Sequence, residues 1–332
     1  MEDRVKLQLF DLSDKVAVVT GGNGGIGKGI AEGLASAGCS IVIAARSRDK
    51  SAAAAQEIEQ AYGVRTLCVE LDVKDPESIK RMPGQVLEAY GRLDILVNNA
   101  GVNVRKLPQD FSLEEWDHIQ NTNLRSVFLC SQAVYPVMKC KGGKIINTGS
   151  LTSLIGSART SPYAASKAGV LQLTRSLAVA WAPDNIQVNV ILPGYIATPL
   201  TVQARKDFPG LDEHVLQRTP TGRWGTPEDF AGPAVFLASK ASDFVTGEFV
   251  VVDGGYTQGE CEHPYESVVM RGTMRRVESD EEKRHAIHVL VGHLEDEPGG
   301  YWSSRSWRLE QRLDRFSALC FEIESVTAKA GS

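Results

Sequence analysis

Short apolar runs separated by amphipathic stretches set the rhythm of the chain as far as Tyr256. Lys15 to Thr20 (KVAVVT) is β-branched and apolar, which predicts a buried strand. The runs Ser40 to Arg46, Thr66 to Val73, Leu93 to Gly101, Gly143 to Ser150, Asn185 to Gly194 and Glu248 to Tyr256 read the same way. Between them the apolar positions take helical spacing: Ile30, Leu34 and Ala37, then Ala52 to Tyr62, then Pro76 to Tyr90. Pro83-Gly84 predicts a kink or break in the last of these. Ser112 caps a further helix with Glu115 closing a capping box, and an interruption is expected near Asn121 to Asn123. Strands separated mostly by helices imply an α/β fold, a doubly wound and mainly parallel sheet of seven strands with right-handed crossovers.

Candidate chemistry falls at the strand ends. The first strand runs into GGNGGIG, Gly21 to Gly27, and then a helix. Glycines there permit a tight turn and close approach of backbone to a pyrophosphate, and the helix N-terminus offers unpaired N–H groups. The second strand ends in Ala45-Arg46 where NAD-selective sites usually carry an acidic residue, and arginine suits a ribose 2′-phosphate. Asp72 ends the third strand and is placed to meet an adenine edge, while Asn98, Asn99 and Gly101 leave room for a cofactor after the fourth. Ser161-Pro162 opens a helix on which Tyr163 and Lys167 lie one turn apart. An ammonium beside a phenol favours the phenolate, so tyrosine can exchange a proton with an alcohol near neutral pH, with Ser150 holding the substrate oxygen.

Composition narrows the field. The 332 residues carry a net charge of −5, which gives no reason to expect a nucleic-acid partner. No apolar run approaches membrane-spanning length, and the start (MEDRVKLQLFDLSDK) lacks the apolar core of a signal peptide. The six cysteines form no C-x-x-C pair, so neither a zinc site nor a disulfide framework is expected, and a soluble protein of the reducing cytoplasm is the default. His118 and His214 have no carboxylate partner nearby in sequence and read as surface or core residues.

Taken together, these residues resemble the short-chain dehydrogenase/reductase family from about Leu12 to Thr257. Thr20-Gly21-x-x-x-Gly25-Ile26-Gly27 is similar to its cofactor loop, Asn98-Asn99-Ala100-Gly101 to its NNAG motif, and Tyr163-x-x-x-Lys167 to its catalytic pair. Ser150 and Asn123 fall at its catalytic serine and asparagine. The resemblance implies a Rossmann-type sheet and hydride transfer between a secondary alcohol or ketone and a nicotinamide. It makes Tyr163 the general acid/base, Lys167 the residue that lowers its pKa, Ser150 the residue that orients the substrate oxygen, and Asn123 the holder of a water in the proton path. Implied cofactor contacts are Gly21, Asn23, Gly25, Ile26 and Gly27 in the turn, and Arg46, Asp72 and Val73 near the adenosine. Asn99, Ala100 and Gly101 follow, with Tyr163 and Lys167 on their helix and Pro193, Gly194, Ile196 and Thr198 around the nicotinamide carboxamide. NADP(H) is favoured and NAD(H) possible.

Arg218 to Tyr256 resembles the sugar-acid branch, gluconate 5-dehydrogenases and 2-deoxygluconate 3-dehydrogenases, with the 3-oxoacyl-thioester reductases as a neighbouring alternative. Arg105 is a candidate clamp on a substrate carboxylate, and Ile196 to Pro220 is read as a loop over the substrate. A non-catalytic nucleotide-binding module is a further alternative, which the complete set Asn123, Ser150, Tyr163 and Lys167 argues against. The partner expected is a small molecule, in a homo-oligomer, dimer or tetramer, with no nucleic acid, membrane or metal.

Residues 1–257 form one expected domain and 258–332 a C-terminal extension. In the extension, Tyr265 to Val277 and Ala318 to Val326 alternate like strands, and Glu281 to Leu294 reads as helix. The stretch resembles the second half of an FMN-binding split barrel of the pyridoxamine phosphate oxidase type. The first half of such a barrel is missing, so FMN binding is not expected. Among His285, His288 and His293, the last two are five apart rather than the three or four that share a helix face, and all three are read as structural or solvated.

Overall fold

The computed structural model describes residues 8–258, 266–276, 279, 281 and 319–330. Two compact units divide the chain, Met1–Glu260 and Cys261–Ser332. The first holds a sheet of seven strands. These are β1 (Val16–Thr20), β2 (Ser40–Ala45), β3 (Thr66–Glu70), β4 (Ile95–Asn98), β5 (Gly143–Thr148), β6 (Ile186–Pro193) and β7 (Phe249–Val252). Their order is β3-β2-β1-β4-β5-β6-β7 and every neighbouring pair is parallel, as buried β-branched runs joined by helices dictate. The chain reverses direction across the sheet between β1 and β4, which is where α/β sheets open a crevice at their carboxyl ends.

Helices α1 (Gly25–Ser36), α2 (Arg48–Tyr62), α3 (Pro76–Tyr90), α4 (Leu113–Gln120), α5 (Ser126–Met138), α6 (Ser161–Trp181) and α9 (Ala231–Ala238) cover the sheet, with α7 (Pro199–Asp207) and α8 (Leu211–Arg218) after β6. Alternation along each strand feeds two cores. On β2, Ile41 and Ile43 meet Ile30, Leu34, Ile58 and Phe230 on one face, while Val42 and Ala44 meet Met82, Val86 and Leu96 on the other. Each such aliphatic side chain contributes roughly 1.5–3 kcal/mol by leaving water. Glycine lets α1 lie close: a Cβ on Gly33 would stand 2.5 Å from the Ala231 Cα, and one on Gly29 would stand 2.0 Å from the Pro227 carbonyl oxygen.

The sequence expectations hold for the seven strands, although β3 and β4 stop short of Val73 and Gly101. The expected break at Pro83 does not occur. Helix α3 is continuous through Pro83, which is buried with Ile79, Met82 and Val86 on the face that packs on the sheet. Packing of that face outweighs the lost hydrogen bond. The capping box is present: Glu115 N–H donates to Ser112 Oγ (3.2 Å), and Ser112 N–H to Glu115 Oε2 (3.1 Å). The interruption expected after α4 is a wide π turn over Asn121–Arg125. The segment Ile196 to Pro220 is not a loop, since most of it is α7 and α8.

In the second unit, β8 (Glu266–Arg276) and β9 (Leu319–Ala330) pair antiparallel, with an irregularity at Arg271/Gly272. β9 runs past the expected end at Val326 because its last residues pair with the start of β8. The remaining helical span from 282 to Leu294, with His285, His288 and His293, lies outside the described residues. Among the described residues, no helix is long and apolar enough to cross a membrane.

Candidate active site

The glycine turn is fixed by what it touches. Thr20 Oγ1 donates to the Val97 carbonyl (3.3 Å) and accepts from the N–H groups of Asn99 (2.9 Å) and Ala100 (3.1 Å), tying the ends of β1 and β4 together. Asn99 Nδ2 donates to the Thr20 carbonyl (3.0 Å). Gly21 and Gly25 lie in the left-handed region, with φ of 66° and 52°. A Cβ on Gly27 would stand 2.4 Å from both Asn99 Nδ2 and the Gly21 carbonyl oxygen. Gly24, by contrast, faces open space, and no side chain caps α1. A tight glycine arch leading to the uncapped N-terminus of a twelve-residue helix fits a dinucleotide pyrophosphate.

Two cavities meet at this turn, and Asn23, Lys50, Gly101 and Val102 line both. The smaller, ≈ 510 Å³, holds Arg46, Asp72 and Val73, the residues expected near the adenosine, together with Ala45 and Ala100. Arg46 makes no ion pair among the described residues, whereas Arg48 is drawn away to Glu70 (2.6 Å). Asp72 Oδ1 accepts from Lys74 N–H at 2.9 Å. His118 lines this cavity, although its sequence context read as bland. Asn98 takes no part: it points away from the crevice into a buried chain, donating to Asn147 Oδ1 (2.9 Å) and Ser131 Oγ (3.1 Å).

The larger cavity, ≈ 1040 Å³, gathers Ser150, Tyr163 and Lys167 with Pro193, Gly194, Ile196 and Thr198. Helix α6 carries Tyr163 and Lys167 on one face, and Ser150 follows β5. Thr152 N–H and Oγ1 both reach Ser150 Oγ, at 3.1 and 3.0 Å, and hold it in place. Burial holds the Tyr163 phenol above its ordinary value, against the opposite pulls of the Ser150 hydroxyl and the Arg105 guanidinium. Lys167 is buried, and burial pushes its ammonium down to about 8. Its Nζ donates to the Thr148 carbonyl at 2.7 Å and stands 5.7 Å from the Tyr163 ring centroid. The Ser150 hydroxyl and the Arg105 guanidinium pull the phenol down, and the Lys167 ammonium stands one helical turn away on the same face.

Asn123 sits in the π turn with its carboxamide fully engaged. It accepts from Val102 N–H (2.8 Å) and donates to the Val102 carbonyl (2.9 Å) and Ser166 Oγ (3.1 Å). A wide turn of this kind often marks a functional position. Here it lets one amide clamp the segment after β4 to the start of α6.

The cavity wall carries Lys50, Arg105, Arg159, Lys167 and His214, and among the described residues no aspartate or glutamate. Helices α7 and α8 supply its roof through Ala204, Phe208, Leu211 and His214. Tyr195 stacks edge-on to Trp224 (5.5 Å between centroids) and lies 5.0 Å from Tyr256, and burial lifts its phenol to about 12. His214 Nε2 lies 3.3 Å from the Tyr256 hydroxyl. Sequence reasoning passed over His214, Arg159 and Trp224, because only the fold of the segment after β6 brings them to one wall. Among the described residues no group of side chains could hold a metal ion.

Comparison with known proteins agrees with this geometry. A family model described as enoyl-(acyl carrier protein) reductase matches residues 21–257. The chain is 45% identical over 254 residues to a 2-dehydro-3-deoxy-D-gluconate 5-dehydrogenase of Escherichia coli, covering 75% of this chain and 98% of that protein. It is 39% identical to a gluconate 5-dehydrogenase of Gluconobacter oxydans, covering 75% of this chain and 97% of that protein. A solved gluconate 5-dehydrogenase from Burkholderia cenocepacia, in complex with NADP and tartrate, superposes with a TM-score of 0.73 at 37% identity, over 76% of this chain and 99% of that one. The parallel sheet, the glycine arch and the matches along its length together place this chain in the short-chain dehydrogenase/reductase family, as an NAD(P)-dependent oxidoreductase acting on CH–OH groups.

Proposed function

We propose that this oxidoreductase interconverts the hydroxy and keto forms of a sugar acid, with NADP(H) as its preferred cofactor. The observation that carries the substrate class is the wall of the larger cavity: four lysines and arginines, one histidine and, among the described residues, no carboxylate, in a chain of net charge −5. Such a wall attracts an anion and rejects cations. The names of the relatives support the same class. Arg105, whose charge already reaches the Tyr163 phenol, is positioned for an oxygen-rich substrate near the reacting carbon.

Bound across the two cavities, the nicotinamide cofactor supplies the hydride chemistry. This chain's residues do the rest. Tyr163 gives or takes the hydroxyl proton at its phenol oxygen, Ser150 orients the substrate oxygen, and Lys167 is placed by the Thr148 carbonyl to hold the ribose. Gly21, Asn23, Gly25, Ile26 and Gly27 hold the pyrophosphate, and Arg46 meets the 2′-phosphate, which supports NADP(H) over NAD(H). A 3-oxoacyl thioester is the second reading. It fits the description of the family model but leaves the cationic wall without a partner at the substrate end.

Exposed Leu113 and Trp116 on α4 and Phe128 on α5 support a homo-oligomer, dimer or tetramer, which light scattering after size exclusion would measure. The free Cys39, Cys68, Cys130 and Cys140 support a cytoplasmic setting. The extension is assigned no flavin.

The deciding experiment follows reduced-cofactor absorbance over a panel of aldonates, ketoaldonates and 3-oxoacyl thioesters, with each nicotinamide cofactor. Turnover of an aldonate or its keto form with NADP(H) is expected. Turnover of thioesters alone would overturn the reading.

A further inference from the structure

The cavity holds a second guanidinium, counted above only as part of the cationic wall and given no contact of its own. Arg159 lines the same wall as Ser150 and Tyr163, and it makes no ion pair among the described residues. Its guanidinium lies 5.4 Å from the centroid of Phe208, the residue that ends α7. Its backbone is braced, since the Arg159 carbonyl accepts from Lys106 N–H at 2.9 Å, next to Arg105. The two arginines therefore ride on loops joined by one hydrogen bond, and their spacing is set by backbone. They serve different ends of the cavity. The charge of Arg105 acts on the phenols of Tyr163 and Tyr195, at the floor, whereas Arg159 sits under the roof beside Phe208.

A guanidinium with no ion pair and no carboxylate among the described residues of its cavity is a ready bidentate partner for a carboxylate. We propose that Arg159 anchors the carboxylate of the substrate under the α7–α8 roof, so that the alcohol oxidised at Tyr163 lies several carbons away from the acid group. Arg159 is then a specificity residue that sets which carbon reacts. The inference rests on the sugar-acid reading and adds the orientation of the chain within the site.

The test compares D-gluconate with gluconamide, its uncharged counterpart, as substrate or competitive inhibitor, in the full-length wild type and in Arg159→Ala and Arg159→Lys. Arg159→Ala is expected to raise KM for gluconate by about tenfold or more with kcat nearly kept, as loss of a charge-assisted contact predicts. Gluconamide constants should stay unchanged, Arg159→Lys should recover part of the gluconate affinity, and the product should carry its ketone remote from the carboxylate. Unaltered NADP(H) affinity reports that the variants are folded, and if Arg159→Ala fails that check, Arg159→Lys and the product structure decide. Equal losses for gluconate and gluconamide, no loss for either, or a ketone next to the carboxylate would overturn the inference while leaving the sugar-acid reading standing. A wild type that turns over no aldonate would overturn both.

Discussion

The two halves of the crevice are built on opposite plans. The cofactor half is backbone: glycines with no room for a Cβ, strand ends tied by Thr20 and Asn99, and a helix start left uncapped. The substrate half is side chain: Arg105 and Arg159 on loops, Lys167 on α6, and a roof of two short helices, where Arg205 lies 3.8 Å from the Trp224 ring centroid and Arg218 4.6 Å from that of Tyr256. A backbone site fixes one ligand shape. A side-chain site can be retuned by substitution without disturbing the sheet. The difference predicts that changes in the first half act on cofactor binding and folding, and changes in the second on substrate choice.

The sharpest separation comes from Tyr163→Phe, which removes one hydroxyl where the halves meet. Turnover should fall by roughly 10²–10⁴-fold while NADP(H) affinity, measured by fluorescence titration, stays nearly intact. Retention of most of the rate would mean another group moves the proton. Next in size is Gly27→Ala. Its methyl would press on Asn99 and the Gly21 carbonyl, so stability should drop by about 1–3 kcal/mol and cofactor affinity with it. Thermal melts with and without NADP(H) measure both, and an unchanged melt would show the arch to be softer than its geometry. Arg46→Ala should weaken NADP(H) about tenfold more than NAD(H), whereas Arg48→Ala, already paired with Glu70, should discriminate little. Equal losses for the two cofactors would remove the case for a 2′-phosphate contact.

The smallest effect is a slope. Burial lowers Lys167 to about 8 from 10.5, so between these values the unfolded chain holds a proton that the folded chain has released. Stability from Lys167 therefore rises with pH across that window, by at most about 1.4 kcal/mol per unit. Above pH 10 the raised Tyr163 phenol pulls the other way, because the folded chain then keeps the proton. The difference between wild type and Lys167→Met in denaturant melts at pH 8 and pH 10 isolates the effect. A difference that does not change with pH would show that Lys167 is better solvated than its burial implies.

The same contrast explains what could be read from sequence. The cofactor half was legible because each of its demands is local: Gly21 and Gly25 need positive φ just after Thr20 ends β1, and Asn99 and Gly101 follow directly on β4. The roof was not. Helices α7 and α8 are nine and eight residues long and largely polar, so their periodicity is weak, and Pro209-Gly210 between them reads as loop. His214 gains its place at the cavity only from that folding. Pro83 was read as a breaker because propensity is visible in sequence and the burial of Ile79, Met82 and Val86 around it is not. The seat of Lys167 was hidden for the same reason: four residues of spacing say nothing of the Thr148 carbonyl that holds its ammonium.

The wide turn at Asn121–Arg125 contains one residue more than an ordinary helix would use. Deleting any one residue there would restore regular winding, yet it would also rotate everything after it by about 100°. Val127, Cys130 and Val134 would swing off the sheet, and Asn123 could no longer span Val102 and Ser166. Core and crevice are thus indexed to each other by a single surplus amino acid, and the chain can shed neither its bulge nor its site alone.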